Sequence, residues 1–130
     1  MYRAVTQEIQ VTVTSAYIEE QSQPEKGRFF WSYTVEIVNH GDEPVTLRSR
    51  YWHIRDASGR VQEVRGEGVI GKQPRIAPGD RFQYTSGCPL ETPQGIMSGC
   101  YTMETIDGRA FKVEIPAFSL DSPHTQRVVH

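Results

Sequence analysis

The stretch Phe29-Phe30-Trp31-Ser32-Tyr33-Thr34-Val35-Glu36-Ile37-Val38-Asn39 decides the fold. Phe29, Trp31, Tyr33, Val35 and Ile37 recur at every second position, with Ser32, Thr34 and Glu36 between them. A helix would scatter these side chains around its axis, whereas a strand sends them all to one face. Trp31, Tyr33, Val35 and Ile37 are therefore expected at the centre of one sheet's buried face. Upstream, Ile9, Val11 and Val13 alternate with Gln10, Thr12 and Thr14, which predicts a half-buried strand over residues 9–17. The polar run EEQSQPEKGR joins the two as a solvated loop. Downstream, HGDEP closes the central strand. Residues 45–55, rich in β-branched and aromatic side chains, form the next one. DASGR then turns the chain at Gly59 into a short strand over residues 60–64. Further strands are expected at 81–86, 99–105 and 110–115, the last two joined through IDGR as a hairpin. This makes about seven strands and no amphipathic helix of ten residues, the pattern of an all-β antiparallel sandwich around one core.

The second long strand contains a conflict of phase. Val45 and Leu47 are odd-numbered, while Trp52 and Ile54 are even-numbered. One buried face accepts both only if an extra residue intervenes, so a β-bulge is expected near Arg48 to Arg50. It would turn Tyr51 and His53 outward. Phe30, out of phase with Trp31, also points away from the core. Phe30, Arg50, Tyr51 and His53 are thus the candidate partner surface, because aromatic and arginine side chains most often anchor interfaces. The alternative is structural: the loop 21–28 covers Phe30, and Tyr51 is a cross-strand partner.

The composition narrows the classes of function. At 130 residues the chain suits one domain, 1–130, with its core over about 3–120 and a frayed tail at 121–130. A net charge of −2 gives no basic field for nucleic acid or an anionic membrane. No apolar run approaches the ~20 residues of a membrane span, and the first residues lack the apolar centre of a signal peptide. The expected compartment is the cytoplasm. Cys88 and Cys100 are expected reduced there, and they lack the C-x-x-C spacing of a redox or zinc motif.

Gly66, Gly68 and Gly71 spell G-x-G-x-x-G, the spacing of a dinucleotide fingerprint. That fingerprint needs a helix whose N-terminus faces the phosphates. Pro74 and Pro78-Gly79 oppose a helix, since each proline removes an N–H donor. The expectation is a loop or wide hairpin whose glycines take positive φ or allow close packing. A weaker reading remains, in which Arg65, Gly66, Gly68, Gly71 and Lys72 form an anion nest for a phosphate or nucleotide. His40, His53, His124 and His130 pair with no other ligand at metal spacing. Ser86-Gly87-Cys88 has no nucleophile elbow around it. Catalytic residues, a metal site and a cofactor are therefore not expected.

Several pieces together resemble the bacterial ApaG family. They are Arg50-x-Trp52-x-Ile54, Asp56-x-x-Gly59, the Val64–Gly71 stretch, Pro74, Pro78-Gly79, Tyr84-x-Ser86, Leu90, Pro93 and Gly95-x-Met97-x-Gly99-x-Tyr101. The run Ile115-Pro116-Ala117-Phe118-Ser119-Leu120 is similar to the family's ending. The resemblance implies an immunoglobulin-like, fibronectin type III-like β-sandwich. It supplies no catalytic residue. It implies a non-enzymatic binding module with a protein partner, because related domains in larger eukaryotic proteins look like interaction modules. It also brings a link of some members to cobalt resistance and magnesium efflux, and a name taken from association with a diadenosine tetraphosphate hydrolase.

Overall fold

The computed structural model describes residues 1–124. Nine strands run in order: β1 (Tyr2–Thr6), β2 (Ile9–Tyr17), β3 (Phe29–Asn39), β4 (Val45–Asp56), β5 (Val61–Glu67), β6 (Arg75–Ile76), β7 (Arg81–Leu90), β8 (Gly95–Thr105) and β9 (Ala110–Leu120). They form two antiparallel sheets, ordered β1-β2-β3-β7 and β5-β4-β8-β9, with β6 also pairing β4. Single-turn 3-10 helices at Glu19–Gln21 and Pro24–Lys26 occupy the loop between β2 and β3. The architecture is the expected fibronectin type III-like sandwich.

The core follows from the alternation. β2 pairs with β3 so that Val11 faces Ile37 and Val13 faces Val35. All four are fully buried, as is Trp31, and Tyr33 is nearly so. The opposite sheet contributes Leu47, Trp52, Met97, Tyr101 and Phe118 to the same cluster. Trp52 sits at the middle, edge-on to Tyr33 at 5.3 Å and to Phe118 at 6.0 Å.

The bulge falls where the phase conflict requires it. Leu47 pairs with Met103 and Ser49 with Thr102, leaving Arg48 as the extra residue. At the same point the edge of β4 changes partner, from β6 at Val45–Thr46 to β5 at Ser49–Arg55. A second irregularity lies between Met97 and Gly99, against β9. There the buried phase of β9 passes from Val113 and Ile115 to Phe118 and Leu120, and Pro116 stands between them. A proline, having no N–H to give a ladder, is tolerated at such a site. Gly99 is required by close approach: a Cβ on it would lie 3.0 Å from the Tyr51 carbonyl carbon and nearer still to its oxygen.

The strands are longer and more numerous than the sequence predicts. β1 is joined to β2 through Gln7 and Glu8, whose φ angles of 45° and 70° make a tight turn without glycine or asparagine. β5 continues through Gly66, which is therefore a strand residue. β7, β8 and β9 extend to Leu90, back to Gly95 and on to Leu120. The two sheets meet along one side, where the Glu114 N–H of β9 donates to the Thr6 hydroxyl of β1 at 3.1 Å.

Of the segment 121–130, the first residues are fastened to the sandwich. The Trp31 indole N–H donates to the Asp121 carbonyl at 2.8 Å. The Ser122 hydroxyl donates to the Pro93 carbonyl. The His124 ring lies edge-on to Tyr17 and 3.6 Å from the Glu19 carboxylate. Residues 125–130, including His130, lie outside the described residues.

Candidate functional site

The three motif glycines do three different jobs in the fold. Gly66 pairs with Arg50 across β4 and β5, and a Cβ there would meet the Arg50 guanidinium at 2.8 Å. Gly68 has φ +60°, and a Cβ there would strike the Lys72 carbonyl. Gly71, at φ +75°, shares a tight turn with Ile70 at +44°. Val69 and Lys72 close this turn by exchanging main-chain hydrogen bonds of 2.8 and 2.9 Å. The Gly68 N–H donates to the Arg48 carbonyl at 2.8 Å. The Gly68, Val69 and Lys72 amides are thus already used, and no helix starts at Gly66 or Gly68.

Arg65, expected beside the glycines, lies instead on the outer face of the five-stranded sheet. Its guanidinium carbon is 4.7 Å from the centre of the Tyr51 ring. The Glu63 carboxylate accepts from the Tyr51 hydroxyl at 2.9 Å and pairs with Arg65 at 3.3 Å. That hydrogen bond to Glu63 raises the pKa of the Tyr51 phenol. The row borders a groove of about 520 Å³ that Cys100, Thr102 and Lys112 line from β8 and β9. His53 follows Tyr51 two positions on, between Glu63 and Ser98 in neighbouring strands. The structure therefore joins members of both sequence-predicted sets: Tyr51 and His53 from one, Arg65 and Gly66 from the other.

It does not bring all four surface candidates together. Phe30 is on the outer face of the other sheet, half-buried, with its ring over Gly87. A Cβ on Gly87 would come within 3.0 Å of the Phe30 ring, so the glycine makes room for it. Arg50 has the phase of Trp52 and points inward, where its Nη1 donates to the Glu67 and Gly68 carbonyls at 3.1 and 2.9 Å. Tyr51 has the cross-strand partners that the structural alternative foresaw.

Arg50 faces a cluster of three tyrosines, of which sequence reasoning places only Tyr33 inside. The Tyr84 and Tyr101 hydroxyls lie 2.5 Å apart between the sheets, and Tyr33 stands opposite Ser86 across β3 and β7. Burial pushes all three phenol pKa values up. Tyr33 is expected inside from its phase in β3, and Tyr84 and Tyr101 share the inward phase of their strands, the one signal that could have found them. Burial also holds the Cys88 thiol up at about 11. Both cysteines are free thiols. Among the described residues no three of His, Cys, Asp and Glu converge to hold a metal, and no helix is long and apolar enough to cross a membrane.

Comparison with known proteins places the chain. The family model described as the ApaG domain matches residues 19–105. Protein ApaG of Methylorubrum extorquens (strain PA1) is 62% identical over 130 residues, covering 100% of both chains. Protein ApaG of Agrobacterium fabrum is 56% identical over the same span. Among solved structures, a Bordetella pertussis protein described as ApaA is 49% identical, covers 90% of this chain and 95% of its own, and superposes with a TM-score of 0.86. The C-terminal domain of wzt, 10% identical with a TM-score of 0.56 and covering 96% of this chain and 79% of its own, shares the fold alone. The chain belongs to the ApaG family.

Proposed function

We propose that this chain is a non-enzymatic binding module that holds a protein partner on the outer face of its five-stranded sheet. One observation supports this most: the Arg65 guanidinium stacked on Tyr51 beside the 520 Å³ groove. Tyrosine and arginine anchor interfaces because each offers a large contact area and a polar end. The stack, with Glu63 holding both side chains, fixes their directions before a partner arrives, which lowers the ordering cost of binding. His53 and Lys112 extend the same face. A connection to cobalt or magnesium homeostasis would run through the partner.

Tyr51→Ala and Arg65→Ala should each weaken partner capture by about 30-fold or more, as loss of an anchor worth at least ~2 kcal/mol does. Phe30→Ala, on the opposite sheet, is the control and should leave capture unchanged. Equal loss from Phe30→Ala, or unchanged capture by Tyr51→Ala, would refute this assignment. The phosphate or nucleotide reading of Arg65–Lys72 is less supported, because the Gly68, Val69 and Lys72 amides already serve main-chain carbonyls.

A further inference from the structure

On the inward side of β4, the Val69–Lys72 turn borders a cavity of about 230 Å³, which shares Arg50 with the lining of the outer groove. Tyr33, Arg50, Trp52, Val69, Tyr84 and Ser86 contribute to its wall. Arg50 is half-buried there and, among the described residues, belongs to no ion pair. A charge drawn from water without a counter-charge is unfavourable. No carboxylate lines the cavity, while the Tyr33 and Ser86 hydroxyls do.

We propose that this cavity binds a small monocarboxylate, with the Arg50 guanidinium as its anion-binding group. The charge argues for one negative group, since one cation faces the space. The planar fork of a guanidinium matches the two oxygens of a carboxylate. Trp52, Val69 and Ile70 supply the smaller, apolar part of an otherwise polar wall, which leaves room for a short body behind the carboxylate. The volume lies below the ~300–1,000 Å³ of pockets for drug-sized ligands, so the acid is small. The bordering turn carries an independent sign. Ile70 is β-branched yet has φ +44°, a conformation in which such residues are strained. Strain of this kind concentrates at ligand clamps and switches. The Val69–Lys72 pair of hydrogen bonds closes the turn on itself at the border of the cavity. This site does not depend on the outer-face partner.

Sodium benzoate titrated into isotopically labelled protein tests the proposal, with sodium phosphate and sodium chloride at matched ionic strength as the other arms. Benzoate should produce saturable amide shifts centred on Val69–Lys72, Tyr84 and Ser86, and phosphate should not. Arg50→Met should weaken benzoate binding about tenfold or more, as loss of a charge-assisted hydrogen-bond pair does. If that variant does not fold, Ser86→Leu serves instead: it keeps Arg50, fills the cavity and should abolish the shifts. Non-saturating benzoate shifts, equal binding of phosphate, or benzoate binding retained in a folded Ser86→Leu variant would each overturn the proposal.

Discussion

Gly68→Ala and Gly71→Ala make the same chemical change three residues apart, yet they should differ in cost. Both glycines have positive φ, 60° and 75°. Each alanine therefore pays the left-handed penalty of roughly 1–2 kcal/mol. Each also restricts the unfolded chain by a similar amount, so that term cancels between them. Around Gly71 nothing lies within 4 Å of the added Cβ. At Gly68 the Cβ would lie 2.9 Å from the Lys72 carbonyl carbon and closer to its oxygen. Both are main-chain atoms, so relief requires the turn to open. That threatens the Val69–Lys72 bond of 2.8 Å and the Gly68–Arg48 bond of 2.8 Å. At about 0.5–1.5 kcal/mol net per bond, Gly68→Ala should cost about 1–3 kcal/mol more than Gly71→Ala. Urea unfolding followed by fluorescence of the buried Trp31 and Trp52 measures the difference. Equal destabilisation, or a larger loss at Gly71, would show that close approach to Lys72 is not why glycine stands at position 68.

Ile37→Ala, at a fully buried position in β3, should lower unfolding free energy by about 2–5 kcal/mol without changing the urea dependence. Stability should also fall in alkali. The Tyr33, Tyr84 and Tyr101 phenols have folded pKa values above their unfolded value of 10.0, so their contribution is complete below that pH and is lost as pH rises through the folded values. Cys88 adds the same trend between its ordinary 9.0 and about 11. An unchanged urea midpoint between about pH 8 and about pH 11 would contradict the buried placement of these groups. Iodoacetamide near pH 8 should alkylate Cys100 in the folded protein and spare Cys88 until urea is added, read by intact mass. Equal labelling would place both thiols at the surface.

Alternation made β3 and the bulge at Arg48 legible from sequence, because one buried face admits only one phase. β1 escaped notice because its exposed edge position leaves little alternation to read, and its turn through Gln7 and Glu8 lacks the usual turn residues. β5 was cut short because glycines read as a loop. Gly66 is in the strand for the sake of the Arg50 side chain across from it, a tertiary demand that local sequence does not announce. Tyr51 and Arg65 could be identified individually as outward or cationic, but their stacking depends on the β4–β5 register. Placing Phe30 with Tyr51 required knowing which sheet each strand joins. Periodicity tells inside from outside, and it is silent about which of two outsides a residue occupies.

Prolines and side-chain bonds at the sheet margins bear on how copies of the molecule meet at high concentration. An unpaired strand edge is a template for addition of another strand and can seed fibres. Here Pro89 interrupts the donor row of β7, and Glu63, Arg65 and Glu67 lay alternating charge along β5. On the other side, the Thr6 hydroxyl occupies the Glu114 amide of β9 and ties β1 to it. Edge-to-edge growth therefore meets a missing donor, a charged row or an occupied amide at these margins, which leaves the broad sheet faces as the route by which the chain can associate.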